Sequence, residues 1–338
     1  MKLELTPLFQ LNLLVHLTLP YPKSSNFHPY FYKQGYKINQ IEKSIPLDPR
    51  NVKRFKETFE SKKAVTPEMV LYHEKKKEYL LIECKVQKFD VDWSHHGTRQ
   101  AAGYMSLSED YLKDIFALER NAKIKAKIFY GIQKEEEAEM YTTLQCISET
   151  VKEIIGYAMP HETFGIQFKS DGLYLSLRQE EKIEEINVIN KKALSNNAMI
   201  YIIPVDINGH LDTESKEVLQ IQVRNVLRSI LGKNIGLRDF SFTSTTICEK
   251  INPVWAQLPS TFKKKMKRWV HNYIKEIIEE IVSMGVRVDI SEQNYSFNIV
   301  DERKAKNIRK FLLSKTFLEK QLHIFDDSEQ ITIEDFLV

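Results

Sequence analysis

The chain has 338 residues, 42% of them hydrophobic and 11% aromatic, which is typical of a soluble globular protein large enough for two domains. The formal net charge is only +3, which excludes a strong overall attraction to nucleic acid, so any affinity for DNA must come from local basic clusters. The three cysteines are isolated from one another, which argues against zinc and disulfides and favours a reducing cytoplasmic location.

The first 47 residues are expected to pack on a following core. Residues 3–19 are apolar but interrupted by polar residues, and this alternation predicts one or two strands. No stretch is long enough to span a bilayer, and a signal peptide is not indicated, so no membrane association is expected. Residues 20–47 are rich in Pro, Ser, Asn and Tyr and predict irregular structure.

Residues 48–62 predict a helix. Asp48 can cap it and Pro49 suits its first turn. Val52, Phe55 and Phe59 recur at helical spacing and make one apolar stripe. We expect this helix to open a central domain that extends to residue 159.

Residues 66–85 predict two strands joined by a charged turn. Residues 79–86 are apolar on both faces, as in a buried strand, yet Glu83 and Lys85 project from the same face. If residues 73–78 form the turn, Glu68 lies opposite Glu83, and two carboxylates about 5 Å apart must share a proton or hold a divalent cation. Lys85 beside them favours a metal site. The alternative is an edge-strand ion pair between Glu83 and Lys85, with Glu68 exposed in a loop.

A polar loop and a short helix follow the hairpin. Residues 87–97 include His95 and His96, for which solvent exposure or a phosphate contact is favoured over metal binding. Residues 98–107 predict a helix that places Gln100 and Tyr104, at positions i and i+4, on one face. The small residues between them would let this helix pack closely on a sheet or let a DNA backbone approach. A plain surface helix is the alternative.

The rest of the chain alternates helices and strands. Predicted elements of the central domain are a helix at residues 108–120, a strand at 122–132 and a helix at 135–158. Beyond residue 160 we predict a hairpin at 162–178, a charged helix or linker at 180–193, a strand at 198–205, helices at 215–231, 261–284 and 301–323, and an acidic tail at 326–335. The strongest local basic cluster opens the helix at 261–284 and is a candidate nucleic-acid-binding surface or a solvated face; it consists of Lys263, Lys264, Lys265, Lys267 and Arg268.

Two short motifs carry a family resemblance. Pro67-Glu68 followed by Glu83-Cys84-Lys85 at the end of an apolar strand resembles the PD-(D/E)xK nuclease signature, with Glu in place of the usual Asp. Gln100 to Tyr104, beginning fifteen residues after Lys85, resembles the QxxxY motif of the RecB/AddB-like branch of that superfamily. The resemblance covers about residues 52–132. The four cysteines that hold an iron–sulfur cluster in many of those nucleases are missing, so no cluster is expected.

This resemblance implies an α/β fold with a restriction-endonuclease-like core. The core would be a mixed central sheet flanked by helices at residues 48–159, followed by a C-terminal α+β domain at 160–338 that binds substrate or a partner. The resemblance implies that Glu68, Glu83 and the main-chain carbonyl of Cys84 bind Mg²⁺, with Mn²⁺ as a substitute. Lys85, Gln100 and Tyr104 would complete the catalytic set. A preceding helix often adds another acid, for which Glu57 and Glu60 are the candidates.

The implied function is that of a metal-dependent deoxyribonuclease, in prokaryotic DNA defence, restriction or repair. DNA is the expected partner, a separate ATPase or helicase subunit is a candidate partner, and a homo-oligomer is compatible with the sequence. Two alternatives stay open, a catalytically inactive nuclease-fold scaffold that binds nucleic acid or a protein, and a ribonuclease. No phosphate-cradling glycine loop and no Ser/His/Asp pattern occurs, so the sequence supports neither ATP hydrolysis nor serine hydrolysis.

Overall fold

A computed structural model describes residues 5–60, 62–119, 121–179, 182–195, 200–207, 211, 213–234, 239–298 and 301–312 of the chain. Contacts between residues divide these into two compact units. Unit 1 contains the described residues up to Leu194 together with Gln257–Pro259, and unit 2 contains the others.

A seven-stranded mixed sheet forms the centre of unit 1. Its strands are β1 (Tyr36–Ile41), β4 (Met69–His73), β5 (Glu78–Cys84), β6 (Lys125–Gln133), β7 (His161–Lys169), β8 (Gly172–Gln179) and β9 (Lys182–Asn190), in the order β1-β4-β5-β6-β7-β8-β9. Strands β5, β6 and β7 are parallel, and the other neighbours in the sheet are antiparallel. Two short strands, β2 (Ile45–Pro46) and β3 (Ala64–Val65), pair separately.

Helices cover both faces of this sheet. They are α1 (Pro7–Thr18), α2 (Tyr30–Lys33), α3 (Pro49–Phe55), α4 (His96–Met105), α5 (Glu109–Ile115), α6 (Glu137–Ile155) and α7 (Lys191–Leu194). On one face, buried residues of α4 and α6 join the cluster that contains Leu81 and Tyr130 of the sheet. On the other face, the ring of Phe31 in α2 lies 6.2 Å from that of Phe129 in β6. Parallel neighbours require long crossover connections, and α4 to α6 supply them.

The strands predicted at residues 3–19 are wrong for the described part of that segment, which forms the helix α1. The Thr6 hydroxyl accepts a hydrogen bond from the Phe9 main-chain N–H at 3.2 Å, and Pro7 occupies the first turn. Most of the helix is buried, including Gln10, Asn12 and His16. A helix buried on nearly all sides has no polar stripe, so its pattern lacks the helical period. Strand β1 was also missed, because it lies in the segment predicted to be irregular.

The hairpin and the helix before it were predicted correctly, although the helix is shorter. Asp48 caps α3 by accepting from the Arg50 main-chain N–H at 2.9 Å. Strands β4 and β5 pair in the predicted register, with Tyr72 opposite Tyr79 and Val70 opposite Leu81.

The sheet continues beyond residue 159, where the sequence predicted a domain boundary. Strands β7 and β8 form the predicted hairpin, and β9 replaces the helix or linker predicted at 180–193. All three belong to the seven-stranded sheet, because β7 pairs in parallel with β6 from Ile128 opposite His161. Pairing across a helical crossover has no local sequence pattern, which explains the difference. Residues 200–205 of the strand predicted at 198–205 are not strand.

Unit 2 combines helices with a small antiparallel sheet. Its helices are α8 (Thr213–Asn234), α9 (Ser244–Ile251), α10 (Ser260–Ser283) and α11 (Glu302–Leu312), and its strands β10 (Asp239–Thr243), β11 (Arg287–Ser291) and β12 (Asn294–Asn298) have the order β10-β12-β11. Predicted helices at 215–231 and 261–284 match α8 and α10, and the helix predicted at 301–323 matches α11 over residues 302–312, its remainder lying outside the described residues. The predicted acidic tail at 326–335 lies outside the described residues.

The predicted fold class, a mixed α/β sheet flanked by helices and followed by an α+β region, is confirmed. Among the described residues, no helix has the length and apolar character needed to cross a membrane.

Candidate active site

The carboxyl end of β5 brings a charged pair to the edge of the core. Side chains alternate along the strand, so Glu83 points to the same face as the buried Tyr79 and Leu81 and is only 4% exposed. The main-chain N–H of Lys85 donates to the Gly131 carbonyl at 2.8 Å, which extends the pairing with β6 by one residue. Glu83 and Lys85 therefore project side by side, as the sequence predicted.

Three side chains donate hydrogen bonds to the Glu83 carboxylate. Lys85 Nζ and Gln100 Nε2 reach Oε1 at 2.6 and 3.0 Å, and the Tyr104 hydroxyl reaches Oε2 at 2.7 Å. Lys85 Nζ also donates to Gln100 Oε1 at 2.8 Å. Gln100 and Tyr104 lie one turn apart on the face of α4 that covers β5, so the two motifs meet at a single carboxylate.

Glu68 supplies a second carboxyl group at this site. It directly precedes β4, one position beyond the pair Met69 and Ile82, which places it opposite Glu83. Its Oε2 atom is buried and has no hydrogen-bond partner among the described residues. Burial and the charge of Glu83 hold the pKa of the Glu68 carboxyl well above its usual range, and a hydrogen bond with the Cys84 thiol opposes this rise. A buried carboxyl next to a carboxylate needs a proton or a cation.

The donor set fits a hard divalent cation. Mg²⁺ prefers oxygen ligands and commonly uses only one or two protein carboxylates, keeping several waters. Glu68, Glu83 and the Cys84 carbonyl match this preference, and the orphaned Oε2 of Glu68 is a coordination position without another use. No group of three or more His, Cys, Asp or Glu side chains placed to hold a metal ion occurs in the described part of the chain.

Another acid whose charge acts on Glu68 is Glu42, which the sequence interpretation missed. The Glu42 main-chain N–H donates to the Glu68 carbonyl at 3.0 Å, and its charge raises the pKa of Glu68 further. The two acids proposed from the preceding segment are on the surface instead: Glu57 is exposed, and Glu60 pairs with Arg99 at 2.5 Å. Glu42 follows β1, whose strand character was not recognised, so nothing in the sequence placed it beside Glu68.

Two other buried polar residues touch the site. Gln10 of α1 donates from Nε2 to the Lys85 carbonyl at 3.0 Å and so fixes the main chain beside the catalytic candidates. Tyr130 lies opposite Glu83 in the register of the neighbouring strands β5 and β6. It is completely buried, and its hydroxyl has no hydrogen-bond partner among the described residues. Burial and the Glu83 charge raise the pKa of both Tyr130 and Tyr104, so both hydroxyls stay protonated. Gln10 could have been suspected as a polar residue within an apolar segment.

The predicted basic cluster lies in unit 2, at the start of α10. Lys264, Lys265 and Arg268 are exposed, and Lys267 is half-buried. Lys263 is held by the protein itself, since its Nζ donates to the Ala256 carbonyl at 2.8 Å and lies 5.9 Å from the Trp255 ring centre. The nucleic-acid role of the cluster stays a prediction.

Comparison with known proteins gives a limited result. A family model described as the MJECL32 domain matches residues 8–109, a segment that contains Glu68, Glu83, Lys85, Gln100 and Tyr104. No curated protein and no solved structure matched the chain.

Proposed function

We propose that this protein is a metal-dependent deoxyribonuclease that hydrolyses phosphodiester bonds of DNA. The observation that carries the proposal is the arrangement at Glu83. Its carboxylate accepts hydrogen bonds from Lys85, Gln100 and Tyr104, while the adjacent Glu68 carboxyl has a buried oxygen without a partner.

Glu68, Glu83 and the main-chain carbonyl of Cys84 would hold Mg²⁺, with Mn²⁺ as a substitute. When bound, the cation lowers the pKa of a water molecule and neutralises charge on the phosphate. Glu68 must lose its proton to serve as a ligand, so its raised pKa makes cation binding favour higher pH.

The protein's own residues orient the reacting groups. Gln100 accepts from Lys85 Nζ and so fixes the ammonium group, which can donate a hydrogen bond to a phosphate oxygen or to the attacking water. Such a preoriented donor is most effective where charge develops in the transition state. Tyr104, protonated and fully buried, holds the other oxygen of Glu83 and thereby fixes the orientation of the carboxylate.

The setting of this activity is proposed from the family resemblance alone. It would be prokaryotic DNA defence, restriction or repair in the cytoplasm, with a separate ATPase or helicase subunit as a candidate partner. In unit 2, the exposed residues Lys264, Lys265 and Arg268 would contact the DNA backbone.

The direct test is cleavage by the purified full-length chain. Supercoiled and linear DNA, and RNA of matched sequence, are incubated with Mg²⁺ or with EDTA. We expect Mg²⁺-dependent cleavage of DNA that Glu83→Gln abolishes and that Lys85→Ala slows by about 10²- to 10³-fold, as for loss of one preorganised donor. The exposed Glu74 provides a matched control, because Glu74→Gln removes the same charge outside the site.

Three results would count against the proposal. Mg²⁺-dependent nicking that persists in a folded Glu83→Gln protein would show that the site is misplaced. Cleavage of RNA in preference to DNA would identify a ribonuclease. Stoichiometric DNA binding without cleavage of either polymer would favour the non-catalytic scaffold.

A further inference from the structure

Three basic residues surround the start of α4, next to the candidate active site. His96 and Arg99 belong to the first turn of this helix, and Arg99 directly precedes Gln100, whose side chain accepts from Lys85. Lys62 comes from the segment before β3. None of the three belongs to the nuclease-like motifs.

Arg99 is held in place by one exposed acid. Its Nη1 donates to Glu60 Oε2 at 2.5 Å, yet Arg99 is 21% exposed whereas the Glu60 side chain is 83% exposed. The Arg99 Nε–H is buried and has no hydrogen-bond partner among the described residues. The guanidinium therefore keeps an unused donor, and the partner it has among the described residues, Glu60, is an acid that water can easily reach and screen.

The cations lie close enough to repel one another. Burial lowers the pKa of the Lys62 ammonium, and the charges of Arg99 and Lys85 lower it further. Burial likewise lowers the pKa of the His96 imidazole, with further contributions from Lys62, Lys85, Arg99 and His95. The lysine and arginine charges gathered in this way are unfavourable for the protein alone, and an anion between them would relieve the repulsion. The His96 imidazole, whose pKa is lowered from 6.5, is neutral near pH 7 and can donate one N–H hydrogen bond to such an anion.

The amino end of α4 adds to the positive electrostatic potential of these side chains. Helix amino termini carry partial positive charge and unpaired main-chain N–H groups. The His95 side chain satisfies one of them, the Gly97 N–H, at 3.2 Å. Both the side chains and the helix thus favour a negative group at this position.

We propose that Lys62, His96 and Arg99 bind a backbone phosphate of DNA next to the phosphate that is hydrolysed at Glu83 and Lys85. The proposal rests on the proposed function and adds the path of the substrate strand, which would run across the amino end of α4. Arginine suits this role because its planar guanidinium can donate two hydrogen bonds to a phosphate. Contacts of this kind position the strand without selecting its sequence.

The test is DNA binding by the full-length chain in EDTA, where cleavage cannot interfere. Fluorescence anisotropy of a labelled DNA duplex is measured at several salt concentrations for wild type, Lys62→Gln and Arg99→Gln. We expect each variant to bind about 10-fold more weakly and its slope of log affinity against log salt to fall by about 1, as for loss of one phosphate contact. Lys56→Gln is the matched control, because it removes a lysine charge on the exposed surface near α3 and should bind like wild type.

A second variant separates phosphate binding from a structural ion pair. Glu60→Gln breaks the same pair as Arg99→Gln but leaves the cation, so it should bind DNA at least as tightly as wild type. The inference is overturned if Glu60→Gln binds as weakly as Arg99→Gln, if Lys62→Gln and Arg99→Gln match the Lys56→Gln control, or if wild type binds no DNA. Tighter binding of RNA that is lost in the same variants would overturn DNA as the ligand. Because binding is measured without metal, a cleavage assay that fails leaves this result standing, and the two proposals fail separately.

Discussion

The Glu83 carboxylate accepts hydrogen bonds from the three other candidate catalytic side chains around it, Lys85, Gln100 and Tyr104. Lys85 reaches it at 2.6 Å, and both partners are largely removed from water, with side-chain exposures of 6% and 21%. Removing one member of such a pair leaves an uncompensated charge, which typically costs about 3–5 kcal/mol when burial is complete. Glu83→Gln keeps the shape of the residue and one of its two acceptor oxygens, so it tests chemistry with less damage to the fold than Glu83→Ala.

The raised pKa of Glu68 predicts a stability effect that does not depend on activity. The folded protein retains a proton that the unfolded chain releases near the ordinary value of 4.5. The stabilisation from this group is therefore fully present below that value and is lost as the pH rises through the raised folded-state pKa. In EDTA, Glu68→Gln should have a higher melting temperature than wild type near neutral pH, and the difference should shrink as the pH falls toward 4.5.

Thermal unfolding followed by circular dichroism between pH 5 and 8 provides the measurement. Glu74→Gln serves as the control, because Glu74 is exposed and the substitution should leave the pH dependence unchanged. A Glu68→Gln protein that melts below wild type by the same amount at every pH would show that the Glu68 carboxyl does not retain its proton in the folded state.

At the residue level, the sequence predicted the parts of the site that lie close together in the chain. The triplet from Glu83 to Lys85 and the helical pair Gln100 and Tyr104 follow from strand and helix periodicity. Glu42 could not be predicted, because its position depends on a strand from a distant part of the chain. Gln10 stood out only as a polar residue within an apolar segment, and nothing local indicated its contact with Lys85.

Among the elements, α4 depends on a close approach to its neighbours. A Cβ added at Gly103 would lie 2.7 Å from Val65 Cγ1 and 3.2 Å from Leu47 Cδ1. The run of small residues in this helix therefore allows close packing inside the protein, which was one of the two roles considered for it. Because the neighbours are buried, they have little room to move.

We therefore predict opposite effects of the same substitution in two helices. Gly103→Ala should destabilise the protein by about 1–3 kcal/mol through overpacking. Gly232→Ala in α8 meets nothing within 4 Å and should stabilise the protein by about 0.5–1 kcal/mol, because alanine favours the helix. Denaturant unfolding of both variants measures this, and equal effects at the two positions would show that Gly103 is not tightly packed.

Element prediction succeeded where the pattern is local and failed where it is not. The hairpin of β4 and β5, and the amphipathic helices α6 and α10, carry clear periods and turn residues. Helix α1 is buried on nearly all sides, β1 lies among turn-forming residues, and β9 is rich in charge, so none carries the pattern of its class. The sheet order depends on crossovers that periodicity does not encode.

The candidate active site and the exposed basic start of α10 belong to different units of the molecule. Unit 1 contains the carboxylates and the cations around α4, and unit 2 contains Lys264, Lys265 and Arg268. With a net charge of only +3, any attraction of the molecule to DNA must come from such local groups. DNA affinity should therefore fall steeply with salt.

Calorimetric titration shows whether Glu68 and Glu83 together bind a divalent cation. Mn²⁺ or Mg²⁺ is titrated into metal-free wild type, Glu68→Gln, Glu83→Gln and the Glu74→Gln control. We expect stoichiometric binding by wild type and control, and affinity at least about 10- to 100-fold weaker in the two site variants, since mutating residues that only support metal ligands already weakens binding this much. Equal binding by all four proteins, or no stoichiometric binding by wild type, would contradict this expectation.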